Sequence, residues 1–269
     1  VRLMLEVIDK GPSRESHKAP VLFVHGAWHG AWCWDEYFLD FFAQEGYRSL
    51  AVSLRGHGKS PAPKPMRLCS IADFVDDVAS IADSLPERPV VIGHSLGGFV
   101  VQKYLESHDA PAAVLVASAP PSGIAGFLLR RFKRHPWYTA SSLAVTKTLR
   151  SVGGTPELAR ETFFSELTPE ADVVRYTAQL CEEYAGKLAL DMLWLNLPRP
   201  SLVTTPLLVL GAEDDVCFTQ AEVRATAAAY HTEAEIYPKM SHDIMLDPGW
   251  ASVGERIHAW LETRDPATV

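Results

Sequence analysis

The sequence predicts an α/β layer fold, a mostly parallel central sheet covered by helices on both faces, with one helical insertion. Three observations carry this. Val21 to Val24, Ser49 to Leu54, Val90 to Ile92, Ala113 to Ala117 and Leu207 to Leu210 are short apolar runs, and near-continuous hydrophobicity is how parallel strands buried on both faces read. Segments of helical periodicity alternate with these runs, and right-handed crossovers then place helices on both faces of the sheet. The alternation breaks once, at Pro120-Pro121-Ser122-Gly123, and resumes near Pro206.

Taken in order, Val1 to Asp9 alternate apolar residues with Arg2, Glu6 and Asp9, which suits an edge strand and contains no apolar signal core. Ile71, Phe74, Val75, Val78, Ile81, Ala82 and Leu85 recur at helical spacing behind Ser70, with Asp73 placed three residues on as its capping partner. Thr219 and Glu222 repeat that start signal before Val223, Ala227 and Tyr230. Glu233 to Tyr237 reads as a further strand, and Trp250, Val253, Ile257, Trp260 and Leu261 form one stripe of a final helix that should dock on the sheet. The insertion holds Phe127, Phe132, Trp137, Tyr138, Phe163, Phe164, Tyr176, Tyr184 and Trp194 among helix formers. Most of these aromatics are expected to build the insertion's own core, with Trp137 and Trp194 as candidates to face a ligand. Arg130, Arg131, Lys133 and Arg134 within Leu128 to Trp137 read as a solvated helix face on ordinary charge patterning.

One serine stands at a strand-to-helix turn. Gly93-His94-Ser95-Leu96-Gly97-Gly98 lies between the run ending at Ile92 and the helix-like stretch Phe99 to Leu105. Glycines on both sides let the backbone turn sharply and let strand and helix approach closely, so the Ser95 hydroxyl projects from the carboxyl edge of the sheet. A hydroxyl is a weak nucleophile at neutral pH and needs a general base, itself oriented by a carboxylate. His242 falls on the loop after Glu233 to Tyr237, and Asp214 falls just beyond Leu207 to Leu210, each at the carboxyl end of a strand. Ser95 would attack an acyl carbonyl while His242 takes its proton and Asp214 holds the imidazole tautomer. The backbone N–H of Leu96, at a helix N-terminus, supplies one donor for the developing oxyanion.

With Val24-His25-Gly26-Ala27 after the first buried strand, Leu54-Arg55-Gly56-His57-Gly58-Lys59-Ser60 after the second, the serine turn after the third, and Asp and His segments closing the set, the chain resembles the α/β-hydrolase superfamily over nearly its whole length. The stretch His25 to Trp34, HGAWHGAWCW, is similar to the plant methylesterase and hydroxynitrile lyase group. The resemblance implies an α/β-hydrolase fold with a core over residues 1–120 and 199–269 and a helical cap over residues 121–198. It implies Ala27 as the second oxyanion donor through its N–H, with His25 bracing that loop, and His25 and Trp28 as candidates near a substrate. In related sequences the acid stands three residues after the glycine ending its strand, and counting from Gly211 selects Asp214 over Asp215, which is left to cap or solvate the turn.

The implied activity is a cofactor-independent serine hydrolase cleaving a carboxylic ester or thioester of a small to medium apolar substrate. Alternatives with the same three side chains are hydroxynitrile lyase chemistry, C–C bond hydrolysis or perhydrolysis, and a weakly catalytic small-ligand receptor. Gly26 and Asp243 stand where the plant lyases carry threonine and lysine, which counts against the first.

Composition narrows the rest. A chain of 269 residues with 47% hydrophobic content can bury roughly three quarters of its unfolded surface. A net charge of -8 excludes nucleic acid as an expected partner, since phosphate binding needs clustered Lys and Arg. No run reaches the roughly 18 apolar residues of a membrane span, so no stable membrane insertion is expected and a cytoplasmic location follows. Cys33, Cys69, Cys181 and Cys217 form no C-x-x-C pair and read as structural thiols. Gly56 to Ser60 imitates a phosphate loop, but Ser53 replaces the required glycine and Pro61, Pro63 and Pro65 prevent the helix. His25 and His29 have zinc-helix spacing, yet Gly26 and Gly30 oppose a helix and no glutamate follows His25. No metal and no cofactor are expected; the oligomeric state is left open.

Overall fold

A computed structural model of the chain describes residues 3–12, 19–137, 153–184 and 186–264. Its strands are β1 (Val7–Lys10), β2 (Val21–Val24), β3 (Ser49–Val52), β4 (Val90–His94), β5 (Ala113–Val116), β6 (Leu207–Ala212) and β7 (Ala234–Tyr237). They form one seven-stranded sheet in the order β1-β3-β2-β4-β5-β6-β7. Only β1 runs antiparallel, against β3; the other pairings are parallel. β2 through β6 are buried at every position, whereas β1 and β7 are only half-buried, as expected of edges. The edge strand is shorter than the sequence alternation implied, and Val1 and Arg2 lie outside the described residues.

Helices α1 (Trp32–Asp35), α2 (Phe38–Gln44), α3 (Ile71–Ala82) and α4 (Leu96–Tyr104) follow the first strands. Ser70 and Asp73 cap α3 reciprocally, as their spacing implied. Phe23 of β2 packs against Trp34, Phe38 and Phe42, with ring centroids 4.8–6.1 Å apart, so an aromatic layer seats α1 and α2 on the sheet. Beyond β6, α9 (Gln220–Ala229) starts from the Thr219–Glu222 capping box. The closing helix α10 (Trp250–Glu262) buries Val253, Ile257, Trp260 and Leu261.

Between β5 and β6 the described residues add no strand to the sheet. They form α5 (Ala125–Arg134), α6 (Pro156–Phe163), α7 (Glu170–Thr177), α8 (Lys187–Leu190) and a π-turn over Asp191–Leu195. This insertion is pinned to the core at several points. Asp191 accepts the Ile71 N–H at the start of α3 (3.0 Å), Phe163 O accepts the Asp243 N–H (2.9 Å), and Trp28 O accepts the Cys181 N–H (2.8 Å). Phe127, Phe163, Phe164 and Tyr176 are buried, and Phe132 is exposed; Tyr138 lies outside the described residues. None of the described helices is long and apolar enough to cross a membrane.

Candidate active site

The serine turn is built as close approach demands. Ser95 has φ 52° and ψ -117°, a strained conformation for a residue with a side chain and one that recurs where geometry serves chemistry. A Cβ on Gly93 would come within 2.5 Å of Gly97 O, and one on Gly97 would come within 2.5 Å of His25 O and closer still to Val24 O. Glycine at these positions is therefore a packing requirement, because β4, α4 and the loop after β2 touch backbone to backbone.

That loop is braced by two buried histidines. The Leu54 N–H donates to His25 Nε2 (3.0 Å), so His25 Nδ1–H donates to Gly26 O (2.7 Å). Burial first, and the neighbouring His57 second, hold His25 well below its usual pKa, so it is neutral. His29 holds Ala27 O through Nδ1 (2.7 Å) and the Asp243 carboxylate through Nε2 (2.9 Å). His25 is absent from the pocket wall, so its place as a substrate contact is withdrawn in favour of the bracing role.

Beside Ser95 opens a pocket lined by Ala27, Trp28, Leu96, Ile124, Phe127, Leu128, Glu183, Tyr184, Leu188, Ala189, Met192, Cys217, Phe218 and His242. Ala27 and Leu96 thus line the same pocket as Ser95, and Trp28, with φ 65°, lines it as well. Trp137 and Trp194 do not; they are 87% and 63% exposed on the outer surface. Their aromatic character gave no information about which side of a helix would face inward.

His242 is almost wholly buried among Phe218 (5.6 Å between centroids), Phe163 (6.2 Å) and His94 (4.8 Å). His94 Nε2–H donates to the His242 carbonyl (3.0 Å) and so fixes the loop. Burial and the charge of His242 push His94 down to about 3, which keeps it neutral. His242 Nδ1–H donates to Asp215 Oδ2 at 2.9 Å. Burial alone would lower the His242 pKa, but the Asp215 carboxylate opposite outweighs it and holds the imidazole well above its usual value.

The acidic partner is therefore Asp215, and the assignment to Asp214 is corrected. The count began at Gly211, but β6 continues to Ala212, and its pairing with β7 is prolonged by Glu213 N–H donating to Tyr237 O (2.9 Å) and Asp214 N–H to Met240 O (2.9 Å). This extension leaves the Asp214 side chain exposed. The chain then turns inward, and Asp215 Oδ1 accepts the N–H groups of Cys217 (2.7 Å) and Phe218 (3.1 Å) while Oδ2 faces His242.

Sequence reasoning also passed over Glu183 and Cys217 on the pocket wall. A chemistry-bearing glutamate in a helical insertion carries no local signal. Among the described residues, two buried clusters of ligand-type side chains share His242, namely His94-His242-Asp243 and Asp215-Cys217-His242. Their atoms are largely committed to hydrogen bonds: His94 Nε2 to His242 O, His242 Nδ1 to Asp215, and Asp243 Oδ2 to His29.

Comparison with known proteins agrees with this architecture. The model of the alpha/beta hydrolase family matches residues 21–251. A non-heme chloroperoxidase of Streptomyces lividans is 40% identical over 106 residues, 38% of this chain and 37% of that protein. Methylesterase 10 of Arabidopsis thaliana is 32% identical over 115 residues, 35% of this chain and 41% of its own, which accords with the local likeness to plant methylesterases. The chain thus spans well under half the length of these two relatives. A monoacylglycerol lipase of Mycolicibacterium smegmatis matches more broadly, at 26% identity over 236 residues, 82% of this chain and 80% of that one. Among solved structures, a thermophilic esterase from Thermogutta terrifontis superposes with a TM-score of 0.74 at 19% identity, covering 97% of this chain and 93% of that one.

Proposed function

The chain belongs to the alpha/beta hydrolase family; from that premise we propose that it is a hydrolase that cleaves carboxylic esters or thioesters through an acyl-enzyme on Ser95. The observation that carries this reading is one pocket holding both Ser95 and His242, with His242 Nδ1 bonded to a buried Asp215. With its proton kept on Nδ1 by Asp215, the imidazole presents Nε2 as the base that takes the Ser95 proton. The carbonyl oxygen becomes an oxyanion as the serine adds, and the N–H groups of Leu96 and Ala27 stabilise it from the start of α4 and the braced loop. His242 then returns its proton to the leaving alcohol or thiol and activates water to release the acid.

The apolar lining from Ile124, Phe127, Leu128, Leu188, Met192 and Phe218 suits a small to medium apolar group, and the described helices between β5 and β6 act as a cap that excludes water from the acyl-enzyme. The named activities of the Mycolicibacterium lipase and the Arabidopsis methylesterase support ester chemistry. No lysine or arginine is among the described residues lining the pocket, and Asp243 Oδ2 is bonded to His29, so those residues favour an acyl group over a cyanide anion. The test is Ser95→Ala, expected to lower turnover of a short-chain aryl ester by about 10⁴-fold or more. A fluorophosphonate should label the wild-type protein on Ser95 alone; unchanged turnover in the variant removes Ser95 from the mechanism.

A further inference from the structure

One wall of the pocket carries a carboxylate that the acyl-transfer scheme does not use. Glu183 is 3% exposed and lines the pocket that holds Ser95 and His242, as well as a neighbouring cavity behind Trp28. It sits two residues beyond Cys181, whose N–H is fixed to Trp28 O, next to Ala27 in the loop after β2. Its Oε2 lies 3.0 Å from His57 Nε2, and its Oε1 accepts the N–H of Tyr184 at 3.2 Å.

His57 is itself held in place. Its Nδ1 lies 3.1 Å from Arg55 O, and its ring stands edge-on to Phe74 with centroids 5.8 Å apart. A carbonyl has no proton to give, so Nδ1 carries one, and the remaining bond shares a proton between Nε2 and the carboxylate. Burial would lower the His57 pKa, but the Glu183 charge outweighs it and raises it. The pair is held at both ends, by Arg55 O on the ring and by the Tyr184 N–H on the carboxylate.

As a mere strut this arrangement is poor, because a buried ion pair generally stabilises no better than apolar side chains of the same volume. A carboxylate also has about four acceptor positions, and the neighbours named above occupy two. Glu183 is the carboxylate among the described residues lining this mostly apolar pocket. A hydroxyl donor fits that opening. An ammonium would bring a charge into apolar surroundings where His57 already neutralises the carboxylate.

We propose that Glu183, oriented by His57, is a specificity-determining residue that accepts a hydrogen bond from a hydroxyl on the substrate, so that hydroxylated esters are preferred over their deoxy counterparts. The proposal rests on the acyl-transfer reading above and names its substrate class. A site that offers a buried acceptor discriminates against an analogue without the donor, because the lone pair that would take the hydroxyl then meets only apolar atoms.

The test compares kcat/KM for matched pairs: aryl 3-hydroxybutanoate against aryl butanoate, and glyceryl butanoate against propyl butanoate. The wild-type protein should favour the hydroxylated member of at least one pair by about 10- to 100-fold. Glu183→Gln should lower that ratio several-fold, and the double variant H57L/E183L should bring it to within about 3-fold of one. A structural role alone would lower both members together and leave the ratio standing, which would overturn the proposal. A wild-type ratio near one for both pairs also overturns it, whether or not the variants fold. Ser95→Ala separates the two readings: if it abolishes turnover of all four esters while the ratios stay near one, ester cleavage through Ser95 survives and only the role of Glu183 fails.

Discussion

Replacing Asp215 by Asn should cost about 10⁴-fold in kcat, while the same change at the adjacent Asp214 should cost less than about 3-fold. The carboxylate at 215 is divided between two tasks, with Oδ1 taking two backbone N–H groups and Oδ2 taking His242 Nδ1–H. In Asp215→Asn, the amide oxygen keeps the two backbone donors, which need an acceptor, and the amide NH₂ is left facing His242. Nδ1 must then accept rather than donate, so the ring proton moves to Nε2 and the imidazole can no longer take a proton from Ser95. Four decades in rate correspond to about 5.5 kcal/mol of transition-state stabilisation. The volume is unchanged and the turn stays capped, so thermal melting should shift by only a few degrees. The assay is kcat and KM on an aryl butanoate for the wild type, Asp214→Asn and Asp215→Asn, with melting curves as the folding control. An Asp215→Asn variant keeping a tenth of its activity, or an Asp214→Asn variant losing most of its own, would refute the tautomer argument.

Gly97→Ala should destabilise the protein by about 1–3 kcal/mol and depress activity together, since the new methyl meets backbone carbonyls that no side-chain rotation can relieve; a variant with wild-type melting and turnover would contradict the packing account. Asp77 is 2% exposed and takes both a bidentate hold on Arg55 and the Arg55 N–H, while Arg55 keeps Asp73 as a second partner, so Asp77→Ala should cost about 1–3 kcal/mol, visible in the urea midpoint. The acid limb of kcat/KM should have its midpoint above pH 6.5, because Asp215 favours the imidazolium form of His242, which must lose its Nε2 proton before it can act as base; a midpoint below 6 in a pH–rate profile would contradict it. His25 and His94 are depressed below 6.5 in the folded state, so their contribution is present above that value and is lost as pH falls, as the unfolded chain takes up protons the native sites refuse. For His94 the window runs from 6.5 to about 3, at no more than about 1.4 kcal/mol per pH unit. Melting followed across that window should fall with acid, and a flat profile would count against the buried neutral histidines.

The strands, the two capping boxes and the serine turn could be read directly because their causes are local. An apolar run of four residues, a serine three residues before an aspartate, or a glycine beside a nucleophile states its own physics within a few positions. His242 was readable for the same reason, as a histidine on a loop at a strand end. The choice between Asp214 and Asp215 was not local. It depends on where β6 ends, and that is set by hydrogen bonds to Tyr237 and Met240 across the sheet. One further rung of pairing carries the chain past Asp214 before it turns in.

The aromatic residues of the insertion show the same divide. Composition indicated helices rich in large apolar side chains, but Phe163 went inward and Trp137 and Trp194 outward, because burial follows the face each helix presents to the core. Glu183 and His57 lie 126 positions apart in the chain, and neither has a neighbour in sequence that implies the other. What the sequence determined by itself was the order of layers and the placement of Ser95 and His242 at strand ends, since these follow from short-range periodicity and turn chemistry. Only the tertiary structure decided which carboxylate orients the base and which one stands over the pocket, because both depend on pairings that become close only when the chain has folded.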